Sequence, residues 1–180
     1  ILLLVLSLFG SYAQQNRQLN IDLGLTQNHQ GFFKLFEGVL DAGASYHIEL
    51  IGNLFAGADF HVSFLGRKNT TSRTQIYKPA LNLNYSIHLG ENIALLPQAK
   101  FGYAMVNIKN KEYSYKDTQS GWNPGGEIRL LWKRESPMNF YIFGRFDYIY
   151  LSKDESFTKL ETYRNIYLTS FGLGVQLKSG

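Results

Sequence analysis

The sequence predicts an all-β protein, an eight-stranded antiparallel up-and-down β-barrel that spans a membrane. Three observations lead to this fold class. Apolar and polar residues alternate along most of the chain, which is the two-residue period of a pleated strand. The connections between the predicted strands are short and long in turn. The polar face of the strands is rich in glycine and other small residues, which suits a narrow lumen better than a surface in water.

The first residues differ from the rest of the chain. ILLLVLSLFG is an apolar block too short to span a bilayer, and the small residues Ser11 and Ala13 follow it. This pattern is typical of the apolar region and cleavage site of a secretory signal peptide, with cleavage expected between Ala13 and Gln14. We expect residues 1–13 to be part of a signal peptide and residues 14–180 to form one barrel domain. The alternative is a buried N-terminal core segment.

The clearest strand is LNLNYSIHL, residues 81–89, in which every second residue is apolar. Seven further runs share this alternation, so each predicts one strand with an apolar face and a polar face. The eight predicted strands lie at residues 19–25, 40–49, 56–64, 78–89, 94–105, 127–133, 139–150 and 167–177.

Connections of two lengths join these strands. Short hairpin turns are predicted at 51–53, 90–92 and 135–137, where turn-forming residues cluster. Long connections are predicted at 27–38, 66–74, 107–123 and 152–164. A barrel with short turns at one rim and long loops at the other is typical of the outer membrane, where periplasmic turns are short and extracellular loops are long.

Composition excludes several classes of protein. The chain has no cysteine, which removes disulfides, zinc ribbons and thiol catalysis. Its formal charge of +4 comes without a basic run, so nucleic acid is not an expected partner. The four histidines are not at metal-ligand spacings, and we expect neither a metal nor a cofactor. They are His29, His47, His61 and His88.

The apolar face is predicted to meet lipid, since aromatic residues gather towards its strand ends and aliphatic residues fill the middles. Charged side chains on the polar face would then pair inside the lumen, because buried charges persist only when paired. Glu127 and Arg145 are expected to face each other across a hairpin, as a gate or as a salt-bridge plug. The predicted lumen charge network contains Lys100, Glu127, Arg129, Arg145 and Asp147.

The signal-like start, the eight amphipathic strands and the terminal SFGLGVQL resemble a small bacterial outer-membrane β-barrel of the OmpA/OmpX-like, porin-superfamily type, without a peptidoglycan-binding domain. In that pattern Ser170, Gly172, Val175 and Leu177 match the C-terminal signal read by the barrel-assembly machinery. The aromatic residue that usually ends this signal is absent. The resemblance implies a location in the bacterial outer membrane, and we expect a monomer too narrow to act as a diffusion porin.

One candidate catalytic group lies on the predicted lumen wall. The short turn after Leu50 permits two registers, one placing His47 opposite Asp59 and the other placing Ser45 opposite Asp59. Either register brings together the residue types of a serine hydrolase, namely nucleophile, base and orienting carboxylate. The simpler interpretation is a hydrogen-bond network, because the sequence shows no nucleophile turn and no oxyanion donors.

The long loops carry basic residues that suit the phosphates of lipopolysaccharide. These residues are Arg67, Lys68, Arg73, Lys109, Lys111 and Lys116. We therefore expect a structural or surface-interaction role, with membrane lipids, lipopolysaccharide and an extracellular ligand as partners. Two alternatives stay open: a lipid-modifying hydrolase that uses Ser45, His47 and Asp59, and a secreted soluble barrel that binds an apolar ligand.

Overall fold

A computed structural model describes residues 16–29, 36–67, 73–110, 115–133, 137–152 and 164–179. The strands are β1 (Arg17–His29), β2 (Phe36–Ile51), β3 (Leu54–Arg67), β4 (Arg73–Tyr85), β5 (Ile93–Asn110), β6 (Tyr115–Trp132), β7 (Met138–Leu151) and β8 (Asn165–Ser179). Beyond Ser86, the two-residue strand Ile87–His88 continues β4 and pairs with β5. No helix in the described part of the chain has the length and hydropathy to cross a membrane.

The strands close into one antiparallel barrel. Each strand pairs with its neighbours in the chain, and β1 pairs with β8 to close the sheet. The predicted fold class is therefore confirmed. The turn between β2 and β3 is tight and uses Gly52 at a φ of +56°, a conformation that glycine adopts without steric cost. The predicted signal peptide lies outside the described residues.

Large apolar side chains cover the outside of the barrel. Leu81 is 72% exposed and Leu173 is 67% exposed, and a band of similar residues surrounds the wall. Polar side chains such as Asn82 and Ser170 fill the inside. A soluble barrel would carry the opposite arrangement, because water would solvate its outer face. The alternative of a secreted soluble barrel is therefore wrong.

This polarity reverses towards the rim that carries the long loops. On β5 the outward residues change from Phe101 and Tyr103 to Asn107 and Lys109, and the inward Val106 is fully buried. We call this part, with its apolar interior and polar exterior, the upper segment, and the remainder the membrane segment. The apolar interior of the upper segment consists of Leu65, Ile76, Ala104, Val106, Ile149, Leu151, Ile166 and Leu168.

The upper segment corrects one sequence prediction. Residues 107–123 were predicted as a connection, but β5 continues to Asn110 and β6 begins at Tyr115. Each of these strands has 18 residues, a length of about 60 Å at about 3.3 Å per residue. Even with a tilt of about 45°, such a strand rises about 40 Å, well beyond an apolar band of about 25 Å. The strands therefore extend past the membrane.

Candidate functional site

The middle of the lumen holds a continuous network of ion pairs. Lys78 Nζ lies 2.8 Å from a carboxylate oxygen of Asp41 and 2.8 Å from one of Asp147. Lys100 Nζ lies 2.6 Å from the other carboxylate oxygen of Asp147. The four strands β2, β4, β5 and β7 supply these residues, so the network ties opposite parts of the wall together.

Two arginines extend this network. Arg145 donates to Glu127 at 2.5 Å, to Asp41 at 2.5 Å and to Asp22 at 3.1 Å. Arg129 Nε donates to the second oxygen of Glu127. The lumen ion network therefore contains four cations and four carboxylates and is neutral: Asp22, Asp41, Lys78, Lys100, Glu127, Arg129, Arg145 and Asp147.

Apolar layers lie above and below the lumen ion network. The interior of the upper segment covers its outer side, and a second buried cluster lies nearer the short turns. Within that cluster, the guanidinium of Arg129 lies 5.0 Å from the ring of Tyr141 and that of Arg145 lies 4.6 Å from the ring of Phe143. The second cluster consists of Ala94, Leu96, Leu131, Tyr141 and Phe143. The described residues thus form a plug rather than a water-filled pore.

Glycines on the lumen wall make room for the large interior side chains. A Cβ placed on Gly43 would overlap the ring of His61, and one on Gly174 would overlap the ring of Tyr141. Gly57 holds the ring of His47 in the same way. The glycines of the polar face are therefore part of a packed interior. A side chain from a neighbouring strand fills the space that each of these three glycines leaves free.

The structure selects one of the two registers considered for the candidate trio. Ser45 faces Asp59, and His47 faces Gly57. Their hydrogen bonds lead elsewhere: His47 Nδ1 lies 2.9 Å from Asn20 Nδ2, and Ser45 Oγ lies 3.4 Å from an Arg129 nitrogen. Among the described residues, no hydrogen bond joins two members of the trio. The arrangement lacks the chain of bonds from carboxylate to base to nucleophile that acyl-transfer catalysis uses.

A second group of ligand-type atoms involves His61. Its Nδ1 lies 3.6 Å from carboxylate oxygens of both Asp22 and Asp41, and the three residues are spaced closely enough to hold a metal ion. The guanidinium of Arg145 already contacts both carboxylates, so their negative charge has a cationic partner without a metal ion. His88 is exposed at the end of the barrel that carries the short turns, and the side chain of His29 is not described.

Aromatic side chains mark the upper edge of the lipid-facing band. Three tyrosine hydroxyls bond to polar residues on the outer wall: Tyr77 donates to Gln75 at 3.1 Å, Tyr148 donates to Asn165 at 2.6 Å, and Tyr103 lies 2.9 Å from Ser120 Oγ. Aromatic rings with a polar handle are typical of the membrane interface. We define this aromatic collar by Tyr77, Tyr103, Trp122, Tyr148 and Tyr167.

Two of the predicted basic contacts lie just outside the collar. Arg73 on β4 and Lys109 on β5 are both exposed and face each other directly across the two strands. Lys116 faces Lys109 from β6, although its side chain is not described. The side chain of Arg67 is likewise not described, and Lys68 and Lys111 lie outside the described residues. Like charges placed opposite each other repel, so this position favours an anion.

The predicted assembly signal occupies β8. Ser170 points inward and donates to Thr26 at 3.1 Å, and Gly172 packs closely against β1. Leu177 lies on the exposed outer wall. The four residues of the predicted assembly signal therefore belong to β8, the strand that closes the barrel against β1.

The sequence prediction of the lumen charge network named five members of a group of eight. Lys78, Asp41 and Asp22 belong to it as well, and the alternation already placed all three on the inward face. What alternation could not supply was the pairing across the barrel, since Arg145 and Asp22 are 123 residues apart. The apolar layers that close the lumen were also missed.

An apolar outer band, an aromatic collar and a charge-paired, closed interior define an integral outer-membrane β-barrel. The solved structure of Neisserial surface protein A (NspA) has a TM-score of 0.67 and 10% identity, with 92% of this chain and 97% of that chain covered. Ail, the attachment invasion locus protein of Yersinia pestis, has a TM-score of 0.58 and 13% identity, with 92% and 99% covered.

The N-terminal β-barrel domain of Pseudomonas aeruginosa OprF has a TM-score of 0.53 and 11% identity, with 91% and 100% covered. At identities this low, the structural similarity shows a shared fold alone. No curated protein matches the chain in sequence. The family model of the outer membrane protein beta-barrel domain matches residues 1–178, so the chain belongs to this family and lies in the bacterial outer membrane.

Proposed function

We propose that this protein is a non-conducting surface-interaction barrel whose upper segment contacts the phosphates of lipopolysaccharide. The observation that carries the proposal is the facing pair Arg73 and Lys109, exposed just outside the aromatic collar. Phosphate groups of the outer leaflet lie at the boundary that such a collar marks. A phosphate between the two side chains would turn their mutual repulsion into two charge-assisted contacts.

The closed lumen supports the same proposal. Neutral ion pairs and two apolar clusters occupy the interior of the described barrel, which supports a function other than transport through the lumen. Function is then expected at the outer wall and in the loops, where binding residues on rigid scaffolds are usually found. The long strands raise the loop bases above the membrane, where they can meet envelope partners or an extracellular ligand.

Binding of bisphosphorylated lipid A to the purified barrel in detergent micelles tests this proposal, with tryptophan fluorescence as the signal. The double variant Arg73→Gln and Lys109→Gln should bind about 30-fold more weakly, because each basic side chain near an anionic surface contributes about 1 kcal/mol. Dephosphorylated lipid A should bind the original protein and the double variant alike.

A matched control removes two exposed basic side chains at the opposite end of the barrel. Arg17→Gln with Lys178→Gln makes the same change in net charge near the short turns. This control should retain the affinity of the original protein for lipid A. Equal weakening in both double variants would show an effect of net charge alone and would contradict the proposed contact.

A further inference from the structure

Asp59 is the lumen carboxylate that the lumen ion network leaves out. It is 5% exposed, and the network is already neutral without it. Its described partners are amides: Asn82 Nδ2 and Gln98 Nε2 donate to Asp59 Oδ2 at 3.2 Å and 3.1 Å. Its other oxygen, Oδ1, has no hydrogen-bond partner among the described residues. A buried carboxylate without a cation is costly, because its charge has lost solvation by water.

The side chains around Asp59 are rich in unused oxygen atoms. Asn82 Oδ1 and Gln98 Oε1 have no hydrogen-bond partner, and neither the oxygen nor the nitrogen of Asn84 has one. All three amides are buried and come from the adjacent strands β4 and β5. Rotating an amide by 180° about its last bond exchanges its nitrogen and its oxygen. The amides of Asn82 and Gln98 would then direct oxygens at the region of Asp59 Oδ2.

We propose that Asp59 and the amide oxygens of Asn82 and Gln98 bind one monovalent hard cation, with sodium as the representative ion. Carboxylate and carbonyl oxygens are the ligands that hard cations prefer. One positive charge neutralises the single carboxylate left over, whereas a divalent ion would leave a buried positive charge. Asn84, which faces Gln98 across β4 and β5, is placed to supply a further oxygen.

A cavity lies at the short turns, on the periplasmic side of Asp59. Ser86, two residues beyond Asn84, lines this cavity of about 290 Å³. Asn53 and Glu49 also line this cavity, and Lys178 lines it from β8. Refolding in a chosen salt supplies the ion while the barrel closes.

Refolding from urea in two salts tests the site. The protein is refolded into detergent in sodium chloride or in N-methylglucamine chloride of equal concentration, whose cation is too large for the site. Thermal unfolding is then followed by the electrophoretic shift between folded and unfolded barrel. The original protein should gain about 3 to 6 °C for each tenfold rise in sodium above the dissociation constant, because the ion binds the folded state alone.

Asp59→Asn removes the charge with little change in shape and should abolish the sodium dependence. Without sodium it should be at least as stable as the original protein, so loss of folding does not obscure the result. Glu49→Gln neutralises a carboxylate near the short turns that accepts from Asn16, and this control should keep the sodium dependence. Crystals grown with thallium(I) should show an anomalous peak bounded by Asp59, Asn82 and Gln98.

Equal midpoints of the original protein in the two salts would overturn the proposal. Sodium dependence retained in Asp59→Asn would also overturn it, because the ion would then bind elsewhere. A thallium map without a peak beside Asp59 would do the same. None of these outcomes depends on lipid A binding, so this proposal and the proposed function fail separately.

Discussion

The membrane segment and the upper segment of one barrel have opposite interiors. In the membrane segment the wall is apolar outside and encloses ion pairs such as Arg145 with Glu127, with one apolar cluster beside the short turns. In the upper segment the wall is polar outside and encloses aliphatic residues such as Ile149 and Ile166. Individual strands such as β5 and β7 take part in both interiors. The comparison shows that the solvent outside the wall decides which face is apolar, and the interior receives the remaining face.

The two interiors are therefore held together by different interactions. Removal of apolar surface from water stabilises the upper segment, by about 1.5 to 3 kcal/mol for each fully buried aliphatic side chain. The membrane segment depends on complete pairing of buried charges, which contributes little net stability but is very sensitive to the loss of one partner. The following substitutions test this difference.

The largest effect is expected from Arg145→Met. This change removes the guanidinium that contacts Glu127, Asp41 and Asp22. Glu127 keeps Arg129 and Asp41 keeps Lys78, but Asp22 loses its arginine, so the interior holds one buried negative charge in excess. We expect a loss of about 3 to 5 kcal/mol in the free energy of unfolding, measured by urea titration in lipid vesicles. Arg17→Met, at an exposed position, should change it by less than about 0.5 kcal/mol. Equal stability of the two variants would contradict a charge-dependent interior.

A smaller loss is expected from Ile166→Ala in the upper segment. Ile166 is fully buried, and its truncation should cost about 2 to 4 kcal/mol through lost burial and the cavity left behind. Leu173→Ala on the lipid-facing wall of the same strand should cost about 1 kcal/mol, because lipid fills the space. The same urea titration measures both. If Leu173→Ala were the more costly change, the upper segment would have no core of its own.

The smallest effect is expected from Ser45→Ala in the membrane segment. Ser45 accepts one long hydrogen bond from Arg129, so stability should fall by about 1 kcal/mol or less. Mass spectra of lipid A from cells that make the variant should match those from cells that make the original protein. A change in the acyl chains would restore the hydrolase alternative and would give the membrane segment a chemical role.

The membrane segment could be predicted from the sequence because lipid imposes strict alternation on its strands. Leu81 to Leu89 show it most clearly. The upper part of β6 was not predicted as a strand because its two faces do not differ in polarity there. Thr118 and Ser120 lie outside, and Gln119 and Gly121 lie inside. Alternation identified the inward residues of the lumen but not their partners, since a period says nothing about contacts across the barrel.

The register between β2 and β3 shows the same limit. The alternation of polar residues on the two strands allowed Asp59 to face either Ser45 or His47. In the structure Asp59 faces Ser45, and the strand pairing is irregular between Glu49 and Ile51. Such an irregularity depends on local turn geometry, which the pattern of polarity does not encode. Predictions of a catalytic trio from facing positions are therefore weak where a bulge separates the strands from their turn.

The apolar interior of the upper segment gives the barrel a rigid mouth outside the bilayer. Strand pairs such as β3 with β4 stay ordered up to Gly66 and Arg73, so the intervening chain starts and ends at fixed points. Such a frame can display many different loop sequences without a change in the part that must insert into lipid. The protein is thus suited as a display scaffold, in which new recognition segments can be exchanged between the same strand ends.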